Sequence, residues 1–387
     1  MKVAFYYTSE INPNVGGTER VTYAIAHQLQ KLGVDFIYIA LKRLWVKEQE
    51  IEYQYYLPNS DCLICDENIC FVNDLLKSKQ IDVLINQDSF DAGNEFCTRK
   101  HFPDVKCLTV IHYNLFGSST YVGDSIRELY LLGKTSKAKY MIQCLALPYY
   151  KYKARKYRVN MLRRIYDTAD HVVVLSEADK REYPVEDKSR VHVIMNPVTL
   201  PPIEIPRKEK RVLYVGRMVY NQKRVDYLLR AWQIIEQKHP EWSLDLLGDG
   251  TCLNYYKKLS QSLRLEHVVF HGNQSPQDYY KRASIFCMTS SYEGFGLVLT
   301  EAMQAGVVPV AFKSFEAISD IVEHEVDGML VSPFDIKEYA RTIQTLIEND
   351  ELRTKMSAFA QIKVKKFAID KIGHDWLMLL NHILLVK

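Results

Sequence analysis

Short apolar runs alternate along this chain with stretches of helical period. "KVAFYY", "DFIYIAL", "DVLIN", "CLTVIHYN", "HVVVLS" and "VHVIMN" are runs of mostly β-branched, aromatic or aliphatic residues. Such near-continuous runs mark strands buried on both faces, and their alternation with helices predicts a parallel sheet. After the first run comes a polar loop, "TSEINPNVGG". Val21, Ala24, Ile25, Gln28, Leu29 and Leu32 then fall on one side of a helix, with Gly33 just past its last turn. Near residue 198 the pattern stops. "VTLPPIEIPRKEK" combines three prolines with a charged cluster and predicts a linker.

A second strand–helix series follows: "RVLYVGR", a helix from about Val225, "LDLLGDG", "VVFHG" and "IFCMTS", then "VVPVAF" and "GMLVS". After about Pro333 the chain reads as helical to its end. The expected fold is α/β: two Rossmann-like, doubly wound domains over 1–197 and 198–368, with a C-terminal helix, 369–387, packing back on the first. Ligands of such sheets bind outside the carboxyl ends of the strands.

Composition narrows the classes. The chain has 387 residues, 47% hydrophobic and 25% charged, the profile of an ordinary globular protein of two-domain length. A net charge of +3 does not call for nucleic acid. "MKVAFYYTSE" lacks signal-peptide anatomy. The most apolar stretch, "WLMLLNHILL", is interrupted by Asn381 and His382 and is too short to cross a bilayer, which needs roughly 20 residues. A cytoplasmic protein is expected. The eight cysteines are then free thiols. Cys62-x-x-Cys65, with Cys70 nearby, lacks the second ligand pair a structural zinc site needs.

Candidate chemistry concentrates in "SSYEGFGLVLTEAMQAG". Seven residues separate Glu293 from Glu301, and Gly294-Phe295-Gly296 follows the first. The segment reads as the turn after "IFCMTS" and a helix from about Phe295 to Gly306. A helix N-terminus presents unpaired N–H groups and about half a positive charge. Glycines let an anion approach it. Two carboxylates flanking such donors fit a ligand with hydroxyls at both ends and phosphate between. By themselves they fit a surface turn and a solvated helix better, because glutamate is common on helices. Arg217 ends another strand, and Lys223 stands six residues on, a pair suited to a diphosphate. Gly248 and Gly250 in "LLGDG" would also permit close backbone approach.

Together these segments resemble the retaining glycosyltransferases of family 4. "EGFGLVLTE" is similar to that family's Glu-x7-Glu pattern, and "VGR" with "QK" to its Arg and Lys pair. "NVGGTER" resembles its N-terminal Gly-Gly loop, "VIHYN" carries its histidine, and "IMNPV" closes its first domain. The order is kept along essentially the whole chain. The resemblance implies a GT-B fold, two Rossmann-like domains facing a central cleft, and a nucleotide-sugar donor, UDP more commonly than GDP. It implies that Arg217 and Lys223 neutralise the diphosphate and that Glu301 accepts from the ribose. Glu293, with the backbone of Gly294, Phe295 and Gly296, would sit by the transferred sugar, and His112 beside it. Gly16 and Gly17 would touch the phosphates, and the backbone near His271 and Gly272 would line the base pocket. One residue departs from the pattern: Arg224 stands where many members have glycine.

The implied reaction needs no cofactor and no metal. The paired aspartates of metal-dependent transferases are absent from the sequence, as are Walker A, G-x-G-x-x-G and G-x-S-x-G motifs. Expected partners are the nucleotide-sugar and a saccharide or lipid-linked acceptor of bacterial-type glycan synthesis. Two alternatives stay open: a nucleotide-sugar epimerase or hydrolase on the same fold, and a glycan-binding protein that has lost its active site. A last segment concerns the acceptor. "ALPYYKYKARKYRVNMLRRIY" holds Lys151, Lys153, Arg155, Lys156, Arg158, Arg163 and Arg164 without an acid, interleaved with Tyr149, Tyr150, Tyr152, Tyr157 and Tyr166. Basic residues with interfacial aromatics over 149–166 suggest an anionic membrane surface at the inner face; a solvated helix face is the competing reading.

Overall fold

A computed structural model describes residues 1–43, 53–201 and 207–385. The middle of the expected linker, 202–206, lies outside them. The chain divides into two compact units: Met1–Leu115 with Arg158–Thr199 and Phe367–Lys387, and Phe116–Tyr157 with Leu200–Lys366. Residues 116–157 thus belong with the second sheet, although their chain neighbours on both sides belong with the first.

The first unit holds a seven-stranded sheet. Its strands are β1 (Lys2–Ser9), β2 (Asp35–Lys42), β3 (Gln54–Tyr56), β4 (Val83–Asn86), β5 (Lys106–Val110), β6 (His171–Val174) and β7 (Val191–Val193). They lie in the order β3-β2-β1-β4-β5-β6-β7, all parallel. The core gathers Ala4, Tyr6, Ile39, Leu84 and Phe96, and burying each large apolar side chain stabilises by about 1.5–3 kcal/mol. The helix Ile369–Leu385 packs on the helix Gly17–Lys31. A Cβ at Gly373 would stand 2.4 Å from Gln28 Cγ, so a glycine permits the close crossing.

The second unit holds β8 (Arg211–Val215), β9 (Ser243–Leu247), β10 (Val268–Gly272), β11 (Ile285–Met288), β12 (Val308–Phe312) and β13 (Met329–Val331). Their order is β10-β9-β8-β11-β12-β13, again parallel. Tyr214, Leu246, Trp232, Val310 and Tyr339 are fully or almost fully buried in its core. From Ile336 to Leu385 the chain is helical apart from short connections, as its period predicts. The fold expectation holds for both sheets. β3 is the strand the apolar pattern misses, because three half-buried residues at a sheet edge leave no run to detect. Among the described residues, no helix is long and apolar enough to cross a membrane.

Candidate functional site

The site is built where β8, β9, β10 and β11 end. Backbone hydrogen bonds tie their loops together: Gly216 N to Leu247 O at 3.0 Å, Met218 N to Asp249 O at 2.8 Å, and Gly248 N to Gly272 O at 2.8 Å. Gly248 has φ +131°, and a Cβ there would lie 1.9 Å from Gly216 O. Gly250, at φ +156°, would bring a Cβ to 2.8 Å from the Met218 backbone. The close approach that these two glycines permit is therefore to the neighbouring loop.

On this rim the expected cation pair and Glu293 come together. Lys223 ends the short helix Tyr220–Lys223, and its Nζ donates to Glu293 Oε1 at 2.5 Å. Ser290 Oγ donates to the same oxygen at 2.5 Å. Gln222 Nε2 donates to Glu293 Oε2 at 3.1 Å and to Tyr292 O at 3.1 Å. Arg217 Nη2 in turn donates to Gln222 Oε1 at 2.9 Å. Glu293 is buried at 7%, whereas Arg217 is exposed. Ser291 N to Gln222 O at 2.7 Å and Thr289 Oγ1 to Lys223 O at 3.2 Å fasten the β11 loop to the β8 loop. Nothing in the sequence singles out the side chains of Gln222 and Ser290 for this network; the position of Gln222 directly before Lys223 in "NQK" is the available signal.

The helix behind Glu293 spans Leu297–Gln304, starting two residues later than expected. Gly296 sets that start, because its φ of +96° is left-handed and cannot continue a helical turn. Gly294 and Phe295 form the preceding bend, with Phe295 buried. Glu301 lies in the second turn, 1% exposed, and accepts from Tyr280 Oη at 3.1 Å. At β10, His271 Nε2 donates to Asp245 Oδ1 at 2.8 Å, and Arg211 Nη1 donates to Asp245 Oδ2 at 2.9 Å. Gly272, at φ +71°, ends that strand.

Arg224 adopts φ 48° and ψ 47°, so the turn keeps the left-handed geometry a glycine would take. Its guanidinium is buried. It pairs with Asp226 at 3.0 Å and Asp124 at 3.1 Å, and lies 4.5 Å and 4.0 Å from the ring centroids of Tyr220 and Tyr227.

The other expected residues belong to the first unit. Gly16 precedes the helix Gly17–Lys31 in extended conformation, and a Cβ there would meet the side chain of Glu19 at 2.4 Å. Burial raises the pKa of Glu19. His112 lies just past β5 and is half-buried; its Nε2 is 2.5 Å from Gln87 Oε1. An amide oxygen only accepts, so Nε2 carries the proton. Burial pushes this imidazole down to about 4, and it is neutral at pH 7. Nearby at the ends of β1 and β4, Thr8 donates to Asp88, whose carboxyl is raised by burial. Among the described residues, no group of three or more His, Cys, Asp or Glu is arranged to hold a metal.

The basic segment forms the helix Leu147–Thr168, preceded by the helix Lys137–Leu145. Lys151, Lys153, Lys156, Tyr149, Tyr152 and Tyr157 are exposed, together with Met141, Ile142 and Leu145 of the preceding helix. Tyr166 is instead buried, with Arg190 over its ring at 4.0 Å, because the helix end packs into the core with Leu162 and Ile165. Arg164 is paired with Glu95, Arg158 lies over Tyr113, and Arg155 over Phe116.

Two family models match nearly all of the chain. "Glycosyltransferase Family 4" matches residues 15–200 and "Glycosyl transferases group 1" matches residues 199–363. An uncharacterized glycosyltransferase of Haemophilus influenzae is 28% identical over 377 residues, covering 94% of this chain and 96% of that protein. A Campylobacter jejuni α-1,4-N-acetyl-D-galactosaminyltransferase, named for a glycan acceptor on PP-undecaprenol, is 26% identical over 57% of this chain and 63% of its own. The solved structure of an S. aureus TarM variant with fondaparinux, α-GlcNAc-glycerol and UDP superposes with a TM-score of 0.73. That match has 16% identity and covers 98% of this chain and 99% of the other, a likeness of fold.

Proposed function

The chain belongs to the family 4, group 1 glycosyltransferases with the GT-B fold, and from that premise we propose that it moves a sugar from a nucleotide-sugar, a UDP-sugar before a GDP-sugar, to a saccharide or lipid-linked acceptor with retention at the anomeric carbon. The observation that carries this reading is the Arg217–Gln222–Glu293–Lys223 network at the carboxyl ends of β8 and β11. The departing diphosphate gains negative charge as the anomeric C–O bond breaks. Fixed cations there act electrostatically and reorganise little during the reaction. The acceptor hydroxyl oxygen bonds to the anomeric carbon on the face the diphosphate leaves, and its proton passes to a diphosphate oxygen. The products are a glycoside and a nucleoside diphosphate. The chain's own cations supply the charge, so no metal enters this scheme.

Glu301, held by Tyr280, would accept from the ribose hydroxyls. The loop ends at Gly248 and Gly272 would line the base pocket. His112, neutral and with its proton directed to Gln87, keeps Nδ1 as an acceptor for a sugar hydroxyl. Gly16 and Gly17, at the start of the helix Gly17–Lys31, would meet phosphate.

A UDP in the TarM complex and a polyprenyl-linked acceptor in the Campylobacter relative's name support the substrate classes. For the acceptor side, Lys153 and Lys156 fall with Tyr149 and Tyr152 on one exposed side of the helix Leu147–Thr168, a basic–aromatic face suited to an anionic leaflet. Flotation with phosphatidylglycerol vesicles at low salt should carry the protein upward; failure to float removes the membrane contact.

The reaction is tested with a panel of UDP- and GDP-sugars, with and without glycan acceptors and EDTA, reading product anomers by NMR. Product should need acceptor, keep the donor's anomeric configuration and survive EDTA. Turnover without acceptor would point instead to an epimerase or hydrolase, and donor binding without any turnover to a glycan-binding protein.

A further inference from the structure

Segment 116–157 contributes no strand to the second sheet, yet one face of its helix Val122–Leu131 is bonded to three of the loops that build the site. Asp124 takes Arg224 Nη1 on both oxygens, at 3.1 Å and 3.2 Å, and Ser291 Oγ donates to its Oδ2 at 3.2 Å. Arg224 directly follows Lys223, and Ser291 stands two residues before Glu293. One carboxylate therefore grips both chain segments whose side chains form the 2.5 Å Lys223–Glu293 pair. One turn further on, Glu128 accepts from Asn221 N at 2.6 Å and Thr251 Oγ1 at 3.1 Å, which ties the β8 loop to the β9 loop. Tyr121 stacks on Tyr292 with ring planes 7° apart, and a Cβ at Gly117 would stand 2.5 Å from the Tyr292 ring.

The Arg224 side chain is committed to this contact. Asp226 takes its Nε and Nη2 at 3.0 Å each, and Asp124 takes Nη1, so the planar fork is fixed from two directions. Its backbone holds a left-handed conformation that a residue with a Cβ adopts at a cost. A glycine would satisfy that backbone without the ion pairs.

We propose that Asp124 and Arg224 are positioning residues, acting through Lys223 and Glu293: the helix Val122–Leu131 holds the β8 and β11 loops in register so that the Lys223 ammonium stays where the diphosphate charge develops. This inference rests on the proposed function of Lys223. A displacement of about 1 Å in a group that orients or stabilises the reacting atoms can lower the rate on the order of a hundredfold.

The test is a double-mutant cycle on the full chain, using D124N, R224G, K223A and the doubles K223A/D124N and K223A/R224G. Turnover is measured at saturating donor and acceptor, and thermal midpoints are recorded for each. D124N and R224G should each lower kcat by roughly ten- to a hundredfold. Each should add less than about twofold on the K223A background, since residues acting as one unit are not additive. R224G keeps the turn accessible without a Cβ, so it gives a folded reading should D124N unfold. Wild-type kcat in D124N or R224G, or losses that multiply fully on the K223A background, would overturn the positioning role. Wild-type kcat in K223A itself would instead bring down the diphosphate reading beneath it.

Discussion

At the carboxyl ends of β8 and β11, the second unit sets Lys223 against Glu293 and Arg224 against Asp226 and Asp124, a run of ion pairs among half-buried or buried side chains. At the ends of β1, β4 and β5, the first unit sets Thr8 against Asp88 and a neutral His112 against Gln87. Both sheets are parallel and share the same doubly wound plan, so the sheets do not explain the difference. The loops do, and in α/β folds chemistry is grafted on loops at strand ends. Fixed charge suits a group that gains charge during reaction. A neutral imidazole and an amide, as at His112 and Gln87, suit hydroxyls that take no part in bond making or breaking.

The largest expected break in this comparison comes from Lys223→Ala. Removing one electrostatic donor of this type costs on the order of a hundredfold or more in kcat, or about 2.7 kcal/mol. Glu293 keeps its bonds from Ser290 and Gln222, so a folded variant is expected by circular dichroism. Gly248→Ala attacks the charged rim through its backbone: a Cβ 1.9 Å from Gly216 O, at φ +131°, should lower stability by about 2–3 kcal/mol in chemical denaturation. An unchanged midpoint would show that the β8–β9 contact yields more easily than the packing indicates.

On the first unit's rim a smaller effect is expected. His112→Ala should reduce kcat by about tenfold, corresponding to about 1.4 kcal/mol, and leave UDP affinity within about twofold. A loss of UDP affinity as large as that of Lys223→Ala would dissolve the distinction between the rims. The smallest effect is in pH. Burial holds His112, and likewise His192 of β7, at about 4 in the folded chain, against about 6.5 unfolded. Below about pH 6.5 the unfolded chain binds protons that the folded chain refuses. Stability should therefore fall as pH drops from about 6.5 toward 4 and level off below that. Thermal midpoints over that range should slope less in His112→Gln and His192→Gln; an unaltered slope in both would contradict the assignment.

The central strands of both sheets were readable in the sequence because they are buried on both faces and therefore apolar throughout, as in β4 and β12. Lys223, Glu293 and Arg217 were readable because each follows a strand. Asp124 was not, since it lies 100 residues from Arg224 and its local sequence, an acidic residue in a first helical turn, is common on any helix. Gln222 and Ser290 carry no charge to draw attention, and their value lies wholly in what they touch. The glycines at 248 and 250 were visible, but the sequence could not say that their neighbour is the Met218 loop.

The central claim is that the β8–β11 rim grips a diphosphate. Isothermal titration of UDP and of GDP into the wild-type chain and into the Arg217→Ala/Lys223→Ala double variant tests it most directly. The account predicts binding of one nucleotide to the wild type, weakening with added salt, and an affinity at least about tenfold lower in the double variant. Equal affinity in both proteins would contradict it.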